Sequence, residues 1–163
     1  MAGSRRDVTP PLRSLSSDEP TYVDFVNESR RPARAWWLNF CGRPVSYGDI
    51  EPGGSMKMNT FLTHPWIFRT SECRSRLRVN TQDVFFPSSA VYEDGYPVYV
   101  KVCITSPVYS LKDCCTTVIR KKVKKEDFVK LEIPECLQKD LAKTPNLLEE
   151  LKILNLHFRA NDQ

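Results

Sequence analysis

Aromatic rings, one imidazole and one aliphatic hydroxyl are concentrated in a single part of the chain. They belong to Trp37, Tyr47, Thr60, His64 and Trp66. Aromatic rings form apolar walls, whereas an imidazole and a hydroxyl donate and accept hydrogen bonds. Such a group can enclose a small, mostly apolar ligand. Pro65, between the histidine and the second tryptophan, predicts an edge position where a peptide can lie alongside. Core tryptophans and a structural histidine would give the same pattern, so both readings stay open.

A second group of side chains is apolar and has helical spacing. Its members are Leu111, Cys115, Val118 and Ile119. They fall at i, i+4, i+7 and i+8, which is one face of a helix. Ser110 precedes them as the predicted N-cap. Such a face suits the groove of a partner protein, although an ordinary internal helix has the same pattern.

Several classes of function are not expected. No nucleophile, base and orienting group form a recognisable motif, so we predict that the protein is not an enzyme. It has only two histidines and no C-x-x-C pair, so we predict neither a metal site nor a cofactor. We expect the six cysteines to be free thiols in a reducing compartment.

Length and charge narrow the possibilities further. A chain of 163 residues can bury one ordinary core with a small appendage. The net charge of +4 is mild and the charges alternate in sign, so we do not expect nucleic-acid binding. The first residues are charged with no apolar stretch behind them, and no later segment approaches the roughly 20 apolar residues of a membrane span. We therefore expect no signal peptide and no membrane association.

The composition changes near residue 106. Before it, aromatic and β-branched runs predict strands at 22–26, 36–40, 66–69, 77–79, 84–86 and 98–104. Tight turns are predicted at 51–54 and 93–95, and Tyr47 falls in a turn-rich loop. After residue 106 glycine disappears, and helical spacing predicts elements following Ser110 and at 127–133, 135–141 and 146–156. The last helix should begin at a Thr144–Pro145 cap, with Leu147, Leu148, Leu151 and Leu154 on one side.

These elements predict an α+β fold. An antiparallel β-sandwich should be followed by a small C-terminal helical cluster, with the last helix packing back on the sandwich. The predicted divisions are a disordered N-terminus at 1–11, the sandwich at 12–106, a helical domain at 107–144, and a C-terminal helix and tail at 145–163.

Short motifs run in order through nearly the whole chain. They are Pro11–Ser14, Trp37–Phe40, Tyr47, His64-x-Trp66-x-Phe68, Val79-Asn80, Val84-Phe85-x-Pro87, Leu111-Lys112-x-x-Cys115, Val118-x-Arg120 and Pro145-Asn146. Each motif is weak alone, but the ordered series resembles the von Hippel-Lindau tumour suppressor family. That family reads hydroxyproline on a target protein and presents the target for ubiquitination.

The resemblance implies a role for each residue of the aromatic group. A hydroxyproline pocket would be lined by Trp37, Tyr47, Thr60, His64 and Trp66. Thr60 and His64 would bond to the ligand hydroxyl, while Tyr47 would help to hold the peptide. The flanking groove would be formed by Asn39, Met58 and Phe61, with Asn39 bracing the site. Such a pocket would reject unmodified proline, because each buried polar group left unpaired costs about 1–3 kcal/mol.

The helical group resembles the segment that docks to elongin C. The contacting residues would be Leu111, Cys115, Val118 and Ile119. The cullin scaffold would face Lys112 and Leu137. The implied function is the substrate-recognition subunit of an elongin–cullin–RING ubiquitin ligase, acting in cytoplasm and nucleus. Its implied partners are elongin C, elongin B, a cullin–RING scaffold and a hydroxylated peptide of hypoxia-inducible factor alpha.

The sequence also departs from the family pattern. Relative to that pattern, Thr60 replaces Ser, Phe61 Tyr, Met56 Arg, Met58 Ile, Gly48 Pro and Cys114 Arg. These changes indicate a divergent member or paralogue. Two other functions therefore stay open. One is a hydroxyproline-binding module that assembles no ligase, and the other is an adaptor with a disabled pocket.

Overall fold

The computed structural model describes residues 12–143 and 146–161. Its strands are β1 (Pro20–Asn27), β2 (Ala33–Leu38), β3 (Pro44–Ile50), β4 (Ser55–Phe61), β5 (Trp66–Thr70), β6 (Arg78–Val79), β7 (Val91–Glu93), β8 (Tyr96–Val98) and β9 (Val100–Thr105). They are followed by α1 (Leu111–Lys122), a 3-10 helix (Lys125–Lys130), α2 (Glu135–Ala142) and α3 (Leu147–Asn161). The N-terminus predicted to be disordered and the predicted Thr144–Pro145 cap lie outside the described residues.

The strands form two main sheets and one hairpin. One sheet has the order β4-β1-β9-β6, the other has the order β3-β2-β5, and β7 pairs with β8. The predicted α+β fold, with strands followed by helices, is confirmed. One pair is not antiparallel, because β1 and β9, the first and last strands of the sandwich, run side by side in parallel. The predicted domain boundaries stay predictions.

The core lies between the two sheets. Phe25 of β1 is fully buried, and its ring centroid lies 5.3 Å from Trp66 and 4.9 Å from Phe68. Ala33 and Ala35 of β2 are also fully buried, and their small side chains leave room for these rings. Because side chains alternate between the faces of a strand, the neighbours of these residues point out of the core.

The other face of the β3-β2-β5 sheet is covered by α3. Leu151 and Leu154 pack with Leu38, Ile67 and Val84 in a second buried cluster. Arg69 of β5 is buried, and its Nε lies 2.6 Å from a carboxylate oxygen of Glu150. The predicted packing of the last helix on the sandwich is therefore confirmed. Leu148 was predicted on the same side as Leu147, Leu151 and Leu154, but it does not share their burial. It is 52% exposed because it lies off the i, i+4, i+7 stripe that begins at Leu147.

The two predicted turns have different roles. Asp94 and Gly95 have positive φ values of 52° and 80° and join β7 to β8, as a two-residue hairpin requires. Gly53 has a φ of 77°, and the amide of Gly54 donates to the carbonyl of Glu51 over 2.8 Å. This second turn joins β3 to β4, which lie in different sheets. It therefore carries the chain across the sandwich.

Two strand predictions were wrong in detail. Residues 84–86 form no strand, and Phe85 makes only an isolated bridge to Trp66. The predicted strand 98–104 is divided, because Tyr99 separates β8 from β9. Among the helices of the described residues, none is both long and apolar enough to cross a membrane.

Candidate functional site

The structure brings the five predicted pocket residues together from both sheets. Trp37 of β2 lies directly opposite Trp66 of β5. The Tyr47 ring lies 5.2 Å from the Trp66 ring and 6.2 Å from the Trp37 ring. His64 stacks on Trp37 at 5.1 Å, and the hydroxyl of Thr60 contacts the Trp66 indole. In this cluster, Thr60 comes from the β4-β1-β9-β6 sheet, Trp37, Tyr47 and Trp66 come from the β3-β2-β5 sheet, and His64 comes from the connection between β4 and β5.

Tyr47 lies in strand β3, not in the predicted loop. The pairing of β2 with β3 shifts between Arg34 and Trp36, which places a bulge at this point of β3. Gly48 follows with a φ of +99°, a value that proline cannot adopt and that other residues rarely adopt. A bulge bends its strand and redirects a side chain. The glycine therefore allows the Tyr47 ring to lie over the two tryptophans.

The hydroxyl of Thr60 is oriented by its neighbour in the opposite sheet. The indole N–H of Trp66 donates to Thr60 Oγ1 over 3.0 Å. Thr60 is 3% exposed and Trp66 is 2% exposed, so this bond is shielded from water. One lone pair of the hydroxyl is occupied, whereas its hydrogen has no acceptor among the described residues. Thr60 can therefore donate to an oxygen atom of a ligand.

His64 lies in the turn between β4 and β5, not on the strand with Trp66. Its ring lies among Trp37, Phe61 at 5.0 Å and Phe40 at 5.5 Å. Its Nε2 atom is 3.4 Å from the hydroxyl oxygen of Ser17. Burial lowers the pKa of His64 below 6.5, and a hydrogen bond to the backbone of Ser16 acts in the opposite direction. At neutral pH the imidazole is therefore largely uncharged, and Nε2 can exchange its long contact with Ser17 for a hydrogen bond to a ligand.

Pro65 directly precedes β5, which is an end strand of its sheet as predicted, but this edge is covered. The carbonyl of Pro65 accepts from the amide of Leu38 over 3.0 Å, and on the other side of β5 the backbones of Trp66 and Phe85 exchange bonds of 2.9 Å. The open edges are found elsewhere in the described part of the chain. Strands β3 and β4 each occupy the end of a sheet and pair on one side. A peptide can therefore lie along these strands, next to the cluster.

The three predicted groove residues surround this cluster in different ways. Asn39 Oδ1 accepts from the amides of Cys41 and Arg43 over 3.0 and 2.9 Å, so this side chain holds the turn that follows β2. Met58 is half-buried and packs against the core, and the ring of Phe61 contacts His64. Their contact with a ligand stays a prediction.

Sequence reasoning missed the part played by the segment before β1. The indole N–H of Trp37 donates to Ser14 Oγ over 2.8 Å, and this hydroxyl donates to the carbonyl of Leu38 over 2.6 Å. Ser14 is fully buried. Residues 12–18 have no strand or helix periodicity, and the only signal was the short motif that contains Ser14. This serine fixes the orientation of the Trp37 ring.

The predicted helical face lies on α1 and is largely exposed. Ser110 accepts from the Asp113 amide and Asp113 accepts from the Ser110 amide, so the predicted N-cap is part of a capping box. Leu111 is 81% exposed and Val118 is 56% exposed, and no residue of α1 is buried. Cys115 is exposed and Ile119 is half-buried. An ordinary internal helix would bury this stripe, so that alternative does not fit.

The two residues predicted to face a cullin have different surroundings. Lys112 Nζ lies 2.6 Å from Asp140 of α2, and Leu137 is half-buried. Arg120 also ties α1 to α2, since its Nη2 donates to the carbonyls of Asp140 and Lys143, each over 2.8 Å. These contacts hold α1 against the end of α2, whereas the contact with a cullin stays a prediction. Across residues 12–143 and 146–161, no three His, Cys, Asp or Glu side chains are grouped to hold a metal ion.

Comparisons with known proteins agree with this geometry. Residues 12–93 match the family model of the VHL beta domain, and residues 109–157 match that of the VHL box domain. A curated relative, Protein Vhl of Drosophila melanogaster, is 30% identical over 101 residues, which cover 58% of this chain and 57% of the relative. The chain thus spans little more than half the length of that protein. Because the two family models match the sandwich and the helices in turn, the chain belongs to the von Hippel-Lindau family.

Proposed function

We propose that this chain is the substrate-recognition subunit of an elongin–cullin–RING ubiquitin ligase. In this proposal the sandwich binds a prolyl-hydroxylated segment of a target, such as hypoxia-inducible factor alpha. The face of α1 docks to elongin C, which brings elongin B and the cullin–RING scaffold. The chain itself performs no chemistry. It accelerates ubiquitin transfer by holding the target near the enzyme, in cytoplasm and nucleus.

One observation carries the proposal. The shielded Thr60 hydroxyl, held by Trp66 at 3.0 Å, lies with a neutral imidazole inside aromatic walls. An apolar ring that bears one hydroxyl satisfies both parts of this site. The ring contacts the aromatic walls, and the hydroxyl can accept from Thr60 and bond to His64. Unmodified proline would leave the Thr60 hydrogen without an acceptor and His64 Nε2 with only its long contact to Ser17.

The helical end supports the second half of the proposal. Leu111 projects from the capped end of α1 and is 81% exposed, a position from which a partner pocket can enclose it. Cys115 lies one turn further along the same face and serves as a small apolar group. Because no described residue covers Leu111 or buries any residue of α1, a partner can bind this stripe without disturbing the sandwich.

The first experiment tests the pocket. A hydroxyproline peptide and its proline counterpart are titrated into the full chain by calorimetry. We expect the proline peptide to bind at least about 100-fold more weakly, as sites that lose a buried hydrogen bond do. His64→Ala should remove most of this discrimination, whereas Thr60→Ser should preserve it. His157→Ala is the matched control, because His157 is the second histidine of the chain and lies on α3, away from the pocket residues. Equal affinities for the two peptides would contradict the pocket.

The second experiment tests docking to elongin. Truncation of a buried interface anchor typically costs about 2–4 kcal/mol, so Leu111→Ala should weaken binding to elongin B–elongin C by roughly 30-fold to 1000-fold. Cys115→Ser should weaken it less. Leu156→Ala removes a comparable exposed side chain from α3 and should have little effect. Each variant is also titrated with the hydroxylated peptide, whose affinity should not change.

The two titrations together separate the remaining alternatives. Peptide binding without elongin binding would identify a module that captures hydroxylated targets but assembles no ligase. Elongin binding without preference for the hydroxylated peptide would identify an adaptor with a disabled pocket. Only selective peptide binding together with Leu111-dependent elongin binding agrees with the proposed function.

A further inference from the structure

A large cleft lies on another side of the molecule. It has a volume of about 950 Å³ and is bordered by the loop after β1, the segment between β5 and β6, and helices α1 and α3. This volume is within the range of small-molecule sites, about 300–1,000 Å³. Arginines dominate its charged lining, namely Arg30, Arg31, Arg69, Arg74, Arg76 and Arg120. His157 adds an imidazole.

Some of these arginines have structural partners. Arg69 bonds to Glu150 and to the carbonyl of Phe68, and Arg120 bonds to carbonyls of α2. Arg31 makes two long contacts of 3.9 Å, one to Glu72 and one to the sulfur of Cys73. The side chains of Arg30, Arg74 and Arg76 are exposed and have no ion-pair partner in the described part of the chain. Three guanidinium groups are therefore available to a ligand.

The acidic residues of the cleft do not balance this charge. Four acidic residues line it, against six arginines. Of these, Glu150 is paired with Arg69, Asp113 belongs to the capping box of α1, and Glu28 lies 3.4 Å from Lys101. Asp83 retains one buried oxygen without a hydrogen-bond partner among the described residues. Among the four acidic residues of the lining, Asp83 alone lacks such a described partner or role, so its charge would repel a bound anion.

Tyr109 marks a point where the positive charges converge. Its hydroxyl donates to the carbonyl of Arg76 over 2.6 Å. Burial raises the pKa of this hydroxyl, while a hydrogen bond with Ser106 and the charges of Arg76, Arg31 and Arg69 act in the opposite direction. Three arginines, from the loop after β1, from β5 and from the segment between β5 and β6, thus act on this hydroxyl at the wall of the cleft.

We propose that this cleft binds a small molecule that carries several clustered phosphates. Guanidinium groups bind phosphate oxygens in bidentate pairs, which fixes geometry as well as charge. Several phosphates on a compact scaffold can engage Arg30, Arg74 and Arg76 together, whereas a single phosphate engages one or two. A nucleic-acid strand fits less well, because acidic Glu72 lies beside the cleft and interrupts any longer basic track.

In the test, inositol hexakisphosphate is titrated as the probe into the full chain. Binding is measured by calorimetry at two salt concentrations. We expect saturable one-to-one binding that weakens as salt rises. The double variant Arg74→Gln, Arg76→Gln should bind at least about tenfold more weakly, the loss expected when charge-assisted pairs are removed. Asp83→Asn should bind more tightly, because it removes an opposing charge. Arg78→Gln, which changes an arginine of the adjacent strand β6 outside the cleft, should bind like the unchanged chain.

Several results would overturn the proposal. Absence of saturable binding by the unchanged chain would exclude the site. Equal losses in Arg78→Gln and in the double variant would show that only overall charge matters. Inorganic phosphate binding as tightly as the probe would exclude recognition of clustered phosphates. A single-stranded oligonucleotide that binds more tightly than the probe would assign the cleft to nucleic acid. Hydroxylated-peptide affinity, measured on each variant, separates this site from the aromatic pocket and reports whether the variants are folded.

Discussion

At the scale of single residues, the aromatic site depends on hydrogen bonds between its walls. Trp66 donates to Thr60, and Trp37 donates to Ser14. Each indole is thereby fixed before any ligand arrives, so a ligand meets surfaces that are already oriented. Preorganisation of this kind reduces the entropic cost of binding, because the side chains are already ordered. The bond from Trp66 orients the hydroxyl of Thr60. Thr60, where the resemblance expects Ser, can therefore present a hydroxyl to a ligand as Ser would.

His64 makes the stability of the chain depend on pH. Its pKa in the folded chain lies below the ordinary value of 6.5, chiefly because of burial. The unfolded chain therefore takes up a proton at a higher pH than the folded chain does. The stability that neutral His64 contributes is complete above about pH 6.5 and is lost as the pH falls through the lower folded-state pKa.

We expect the free energy of unfolding, measured in urea, to fall as the pH is lowered from 7.5 to about 5.5. The fall should be smaller in His64→Gln, which cannot titrate at this position. Identical pH profiles for the two chains would contradict the assignment. Hydroxylated-peptide affinity should decline over the same range, because a protonated imidazole can no longer accept a hydrogen bond.

Gly48 provides a second prediction at this scale. Its φ of +99° makes any side chain strained, and such residues cost about 1–3 kcal/mol. Gly48→Ala should lower the free energy of unfolding by that amount and should also weaken peptide binding, since the bulge orients Tyr47. Gly53→Ala introduces similar strain at a φ of +77° but lies in the turn away from the cluster. It should lower stability and leave peptide affinity unchanged.

At the scale of secondary structure, α1 depends on its own ends because its residues are not buried. Loss of a Ser N-cap typically costs about 1 kcal/mol. Ser110→Ala should therefore reduce the protection of the α1 amides against hydrogen exchange, with no change in the sandwich amides. Ser89→Ala, in an exposed loop, is the control. Equal protection of α1 in both variants would show that the capping box does not support the helix.

The helices could be predicted from the sequence more fully than the strands. Caps and 3.6-residue periodicity are local signals, and Ser110 and the stripe of α1 were both identified. Strands β3 and β4 were missed because they lie at sheet edges and expose many polar side chains. Alternation of Met56, Met58 and Thr60 was the available signal for β4. The Tyr47 bulge arises from pairing between distant strands, so no local pattern could indicate it.

The candidate site could also be predicted only in part: its residues were identified from the sequence, but the bonds between them were not. The family resemblance identified Trp37, Tyr47, Thr60, His64 and Trp66, and the structure brings them together. The bonds that orient them were not predictable, because Ser14 and Trp37 are distant in sequence and become neighbours only when the sandwich closes. The arginine cleft was missed for the same reason, since its charges come from four separate segments.

At the scale of the whole molecule, α3 connects the two parts of the chain. It follows the helical cluster in sequence but packs on the sandwich through Leu151, Leu154 and the ion pair between Arg69 and Glu150. The same helix also borders the arginine cleft. Loss of its packing should therefore weaken the whole fold and disturb the cleft.

Two leucines of α3 allow this connection to be tested with a matched pair. Leu151 is 4% exposed and Leu148 is 52% exposed. Removal of a buried leucine side chain costs about 2–5 kcal/mol, whereas surface substitutions usually remain within about 0.5 kcal/mol. Leu151→Ala should therefore lower the melting temperature strongly and Leu148→Ala should barely change it, as measured by calorimetry. Equal melting temperatures would mean that α3 is not held on the sandwich. If α3 is held as described, Leu151→Ala should also weaken inositol hexakisphosphate binding, because Glu150 and His157 of the cleft lie on the same helix.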